Sequence, residues 1–372
     1  MNKNREYLVK LTWLRGIAAL FVVVSHSIRV AEGEYGGYAT SKSYSLINAF
    51  DLGTFGVMLF FTLSGATLYF SNGKLTTPEI IPFYIKRFFR IWPAFVVSLI
   101  AYLAFRKIFQ AYYTIENGNW VELQFLADYS MGDLLSYLTL TSNIFGPSGL
   151  FNNAFWSLPV EFQYYLLFPF LVFISFKVGI SGPILTALLA YAVQKFELVH
   201  FESNNVFLLA YTFCFGFCTA YIYSRTTLRL SKVFALALFG LSTGLCALTN
   251  NSIIDLSGIP VLSNPYGYPG VFAVFAVSSL LFMKGDFKRG SIFTRPFYWL
   301  GEVSYSLYLY HNLLLGLLVI LALNTNTPSI LQYPWLNFIF ALSTSCIVAK
   351  VSYEYVEKPF INIGKKLSAK KT

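Results

Sequence analysis

An all-α, polytopic bundle of transmembrane helices is the fold class this sequence predicts, and three observations predict it. Of its 372 residues, 56% are apolar and 19% aromatic. Only 12% are charged, whereas a soluble domain carries roughly one quarter. Apolar runs recur from residue 11 to residue 356, with no polar block between them that could build a separate core. One integral membrane domain over 1–372 is the expectation.

A hydrocarbon core of roughly 30 Å takes about 20 helical residues. On that measure about ten spans follow in order. The first, 11–30, comes after a basic leader, but no small-residue cleavage site follows it and many more spans do, so it reads as an uncleaved anchor. Next come 50–71, 88–109 and, after a long loop at 110–155, 156–176. The spans 179–196, 205–224, 232–250 and 266–284 lie between short connections, and 297–323 and 334–356 complete the set. Within the long loop, "GDLLSYLTLTSNIF" predicts a short helix over the outer surface of the bundle, and loops of that length are often binding loops or lids.

Charge sorts the connections. One set carries Lys3, Arg5 and Lys10; Lys74, Lys86, Arg87 and Arg90; Lys177; Arg225, Arg229 and Lys232; Lys284, Lys288, Arg289 and Arg295; and the tail "EKPFINIGKKLSAKKT". The alternate set holds Glu116, Glu122, Asp128 and Asp133 among polar, glycine-rich and proline-rich stretches. The positive-inside rule then places both termini in the cytoplasm. It also accounts for the net charge of +10 without nucleic acid. Cys214, Cys218, Cys246 and Cys346 fall within predicted spans at no metal-ligand spacing, so no metal site is expected. There is no Walker loop, no GxGxxG after a strand and no HExxH, which leaves nucleotide hydrolysis, dinucleotide redox chemistry and zinc proteolysis without support.

Ionisable residues inside lipid need a partner, a wet cavity or a function. Arg15 and His26 are 11 residues apart on the first span, which places them on one helical face with roughly 16.5 Å of rise between them. By the same rise His26, His311 on the ninth span and Glu161 on the fourth all lie roughly 20 Å above the cytoplasmic boundary. A common cavity is the expectation, against separate interhelical hydrogen bonds. Ser304, Tyr308 and His311 share one face. A second polar layer gathers Arg15, Lys86, Arg87 and Arg90, with Glu302, Glu354 and Glu357 nearby. Arginine forks suit phosphates, and contact with lipid headgroups is the alternative.

At these residues the chain resembles the acyltransferase-3 family of integral membrane O-acyltransferases. "LRGIAALFVVVSHS" is similar to that family's Arg-x10-His signature, with Arg15 and His26 in the matching places. "FFTLSG", "KRFFRIWPAF", "WSLPVEFQYYLLFP", "GEVSYSLYLYH" and "EKPF" resemble family blocks in the same order, from about residue 11 to 360. The resemblance implies transfer of an acyl group, typically acetyl from cytoplasmic acetyl-CoA, to a hydroxyl of a surface or lipid-linked glycan. It implies that Arg15, Lys86, Arg87 and Arg90 hold the CoA phosphates. Neutral His26 would be the general base, with Glu161 or a neighbour orienting its ring and steadying the imidazolium that forms. Trp156, Ser304, Tyr308 and His311 would line the acceptor site, and Ser64 with Gly65 would serve close helix packing. Some members append an SGNH domain; this chain stops at "KKT", so any such second step is expected to be absent or supplied in trans. The rival from another class is a transporter or acyl-group carrier that uses buried His, Arg and Glu as a relay. The acceptor, the acyl chain length and a homodimer stay open.

Overall fold

The computed structural model describes residues 6–31, 52–113, 121–147, 149–199, 205–250, 253–256, 258–259, 266–285, 291–292, 294–325 and 327–369. Among them the regular structure is helical, with one isolated bridge between Leu230 and Met283. Of the loop at 31–49, all but Ala31 lies outside the described residues.

Each predicted span falls on helical structure, the ninth on two of the helices. In chain order they are α1 (Glu6–Ala31), α2 (Gly53–Asn72), α3 (Ile80–Tyr112), α4 (Met131–Leu138), α5 (Ser142–Phe145), α6 (Ser157–Val178), α7 (Ser181–Lys195), α8 (Val206–Arg225), α9 (Lys232–Asn250), α10 (Gly267–Phe282), α11 (Arg295–Glu302), α12 (Ser304–Asn324), α13 (Pro334–Ser352) and α14 (Lys358–Ala369). Eight helical segments among the described residues are long and apolar enough to cross a membrane. The predicted spans 179–196 and 266–284 are the shorter helices α7, of 15 residues, and α10, of 16. Outward faces are apolar, as at Phe170, Phe173 and Ile347, each at least 60% exposed. A patch of that kind on a bundle of apolar helices is a lipid-facing surface.

α1 occupies the centre, packed against α2, α11, α12 and α13. Glycine makes two of these crossings tight. A Cβ at Gly16 would strike the Phe297 carbonyl, and one at Gly301 the Thr12 carbonyl. The same reciprocity joins α2 to α8 through Gly65 and Gly216. At the end of α1 near its start, the fully buried Lys10 donates to the Met283 carbonyl at 2.6 Å.

Three boundaries differ from expectation, and each moves a polar group. α3 begins at Ile80 rather than near 88, so Lys86, Arg87 and Arg90 sit inside the helix; the cations in "YIKRFFR" lower the local hydropathy without breaking the helix. The ninth span is two helices, parted at Val303. There Gly301 wedges against α1, and the Ser304 hydroxyl donates back to the Gly301 carbonyl at 3.0 Å. A straight rise from Phe297 to His311 therefore does not hold. The last span does not stop near 356 but continues through a π-helical turn, Tyr353–Glu357, into α14.

The predicted loop helix is present as α4 and α5. Ser130 caps α4: its hydroxyl accepts from the Asp133 N–H at 3.1 Å, while its own N–H donates to the Asp133 carboxylate at 2.8 Å. The backbone bond first, then that from the Ser130 hydroxyl, hold the Asp133 carboxyl below its usual range. Nearer the bundle, Phe125 stacks on Phe109 at 4.0 Å, and Arg106 donates to the carbonyls of Phe125, Leu126 and Ala127 at 2.7 to 2.9 Å. Charge-assisted bonds are worth about 1.5–3 kcal/mol each. Arg106→Ala is therefore expected to speed limited proteolysis within 121–130 about tenfold or more while the transmembrane fragments stay intact.

Candidate active site

A cavity of about 80 Å3 opens among α1, α2, α3, α6 and α12. Arg15, Arg87 and Arg90 stand on its wall. Arg15 Nη2 donates to Thr67 Oγ1 at 3.0 Å, which ties α1 to α2. The Arg87 guanidinium lies 5.5 Å from the Phe83 ring centre and 5.4 Å from that of Tyr165, held by cation–π attraction. Arg90 pairs with Glu357 at 3.5 Å. Guanidinium stays charged and presents a rigid fork of donors, so this wall suits phosphate or carboxylate groups.

Glu161 faces the same cavity, and its carboxylate accepts from the Tyr165 hydroxyl at 2.5 Å. The two residues are one helical turn apart on α6, so the pair is local to that helix. Across the cavity stand Ser304, Tyr305 and Tyr308 of α12. The Tyr305 hydroxyl donates to the Ile91 carbonyl at 2.9 Å and fixes α12 to α3.

Tyr308 closes the far end. Its hydroxyl donates to the Ala154 carbonyl at 2.5 Å and lies 2.7 Å from Ser157 Oγ. Behind it, 5.9 Å between ring centres, is His311, fully buried; 5.0 Å further, tilted by 51°, is His26. His311 Nδ1 lies 2.8 Å from the Tyr308 carbonyl oxygen. A carbonyl only accepts, which assigns the proton to Nδ1 and leaves a lone pair on Nε2. His311 Nε2 and His26 Nδ1 are buried with no protein hydrogen-bond partner. One residue on, Asn312 Nδ2 donates to Asn152 Oδ1 at 2.8 Å, and Asn152 Nδ2 to the Leu309 carbonyl at 3.2 Å. This buried amide pair locks the turn before α6 against α12, and with it the Tyr308 anchor.

The structure gathers most of the predicted residues but divides them differently. Arg15, Arg87, Arg90, Glu161, Ser304 and Tyr308 share the cavity. His26 and His311 form a pair one layer behind Tyr308. The ring against His26 is His311, and the Glu161 carboxylate is bound by Tyr165. Lys86 is exposed, and it is not among the residues that line the cavity. Trp156 packs between Phe61 and Tyr266 and likewise lies off the lining. Sequence reasoning missed Tyr165, Ser157 and Thr67. The spacing of Tyr165 four residues after Glu161 was a visible signal for the first; nothing local marks the other two.

The family model described as "Acyltransferase domain" matches residues 8–353. The O-acetyltransferase OatA of Staphylococcus aureus is 23% identical over 408 residues, which cover 98% of this chain and 59% of that protein. YrhL of Bacillus subtilis, whose name assigns it to peptidoglycan O-acetyl transfer, is 20% identical over 393 residues, 98% of this chain and 56% of its own length. An uncharacterised protein of Haemophilus influenzae is 31% identical over 131 residues, 32% of this chain and 49% of that protein. The chain thus spans less than two thirds of the length of these curated relatives. No solved structure matches.

Proposed function

The chain belongs to the acyltransferase domain family, and from that premise we propose that it moves an acyl group, acetyl, from acyl-CoA to a hydroxyl of a surface or lipid-linked glycan. One observation carries the reading: an arginine-lined cavity inside an apolar bundle ends at a tyrosine, directly behind which stand two histidines from different helices. Phosphate recognition at one end and proton handling at the other is what a CoA-dependent transfer to a hydroxyl requires.

In this mechanism Arg15, Arg87 and Arg90 hold the donor phosphates, and the pantetheine arm lies along the cavity toward Tyr308. His26 takes the proton from the acceptor hydroxyl as its oxygen attacks the thioester carbonyl. The C–O bond forms, the C–S bond breaks, and the thiolate leaves with the proton returned by His26 as free CoA. His311, its tautomer set by the Tyr308 carbonyl, fixes the face that the His26 ring presents. The Tyr308 proton is held by the Ala154 carbonyl, so the Ser157 hydroxyl beside it at the end of the cavity is the donor that turns to the developing oxyanion. The enzyme sits in a bacterial inner membrane with the arginine end toward the cytoplasm, where acyl-CoA is made.

Incubation of the purified protein with labelled acetyl-CoA and candidate glycans tests this. Label appearing on the acceptor is the expected result; transport or binding of substrate with the acceptor's mass unchanged favours the carrier reading instead. Arg15→Ala is expected to raise the KM for acetyl-CoA about tenfold or more, on the scale of a charge-assisted bond, with a smaller change in kcat.

A further inference from the structure

Lys10 and Glu357 are the only Lys, Arg, Asp or Glu residues in the buried class among the described residues, and Lys10 is a structural tie between helix ends. Glu357, 1% exposed, has a different setting. Its Oε1 lies 3.5 Å from Arg90 Nη1 in an ion pair and has no hydrogen-bond partner, and its Oε2 is 3.0 Å from Ser306 Oγ. Ser306 Oγ is also 3.1 Å from Ser352 Oγ. Ser306 is the donor in both contacts, and of the two the carboxylate is the stronger acceptor for its single proton.

The backbone is shaped to allow this. Ser352 and Glu357 are five residues apart, which in an α-helix puts them about 140° apart around the axis. The π-helical turn Tyr353–Glu357 bonds residues five apart instead and returns both side chains to the Ser306 side. π turns are rare and concentrate at functional sites. The carboxylate is also needed where it stands. Arg15, Arg87 and Arg90 converge on one cavity wall and repel one another. The Arg90 side chain is 35% exposed toward that space, so without a counter-charge it has freedom to turn away.

We infer that Glu357 is a positioning residue: through its ion pair it holds Arg90 aimed into the cavity, so that the donor phosphates meet a preorganised cation. This rests on the donor site proposed above. Preorganisation raises affinity by removing the ordering cost at the moment of binding.

Calorimetric binding of CoA to the purified full chain, with thermal melting in parallel, provides the test. Glu357→Gln keeps the shape and the Ser306 bond and removes the charge. It is expected to weaken CoA binding about tenfold, and Arg90→Gln by a similar factor. The double variant is expected to bind no worse than Arg90→Gln alone, because residues that act as a unit are non-additive. Since the double variant leaves no buried charge unpaired, it remains informative even where Glu357→Gln alone fails to fold. If CoA affinity is unchanged in Glu357→Gln, or if the double variant loses affinity additively, Glu357 is only a structural clip and the inference is overturned. If the wild-type chain binds no CoA, the donor reading itself fails, and this inference with it.

Discussion

His26→Ala is expected to lower acetyl transfer by about 10²–10⁴-fold, the range that a positioned general base contributes. Membrane insertion and CoA affinity should stay near wild type. The reason is the separation seen in the structure: the arginines line the cavity, while His26 stands behind Tyr308 with His311 and is not among the lining residues. On the proposed mechanism, removing the imidazole takes away the base and leaves the arginine wall intact. His311→Ala is expected to act in the same direction by a smaller factor, since it sets the orientation of the His26 ring. Product formation from labelled acetyl-CoA, measured beside the yield of membrane-inserted protein, reads both effects. A His26→Ala protein that inserts normally and transfers at full rate removes the basis for the mechanism.

The second large effect lies in packing. Gly65→Val is expected to abolish recovery of folded protein in mild detergent, measured by size-exclusion profile and thermal melting. A Cβ at Gly65 would fall on the Phe213 carbonyl, with Phe217 N at 3.1 Å, and the reciprocal glycine, Gly216, meets the Thr62 backbone in the same way. Overpacking against movable side chains costs about 1–3 kcal/mol, and here the obstacle is backbone, so α2 and α8 must separate along their crossing. Small residues at such crossings are what let membrane helices approach. Gly240 on α9 supplies the contrast: a Cβ there meets nothing within 4 Å. Gly240→Ala is expected to be neutral or stabilising by about 0.5–1 kcal/mol, the ordinary helical cost of glycine.

The pairing of Gly65 with the motif "FFTLSG" shows how far local sequence reaches. A small residue inside an apolar run signals close approach of another helix, and that much was legible; that the partner is Phe213 on α8 was not. The arginine cluster behaves likewise. "KRFFR" announces two guanidinium groups one turn apart, but whether they meet headgroups or a cavity depends on α6 and α12 arriving beside them. Glu161 is the sharpest case. Equal depth in the membrane suggested that it served His26, yet depth is one coordinate of three, and in the bundle Tyr165 binds that carboxylate while His311 takes the place against the ring.

By itself the amino-acid sequence determined that this chain is a bundle of apolar helices, in what order they come, and which residues are too polar to face lipid without a reason. Those properties follow from hydropathy, helical rise and the energetic cost of burying charge, all of which act along one helix at a time. Only the tertiary structure decided which polar groups become neighbours, that the ninth span breaks at Val303, and that a π turn swings Glu357 toward Arg90. Crossing angles, breaks and register arise from contacts between helices distant in the chain, and no local periodicity encodes them.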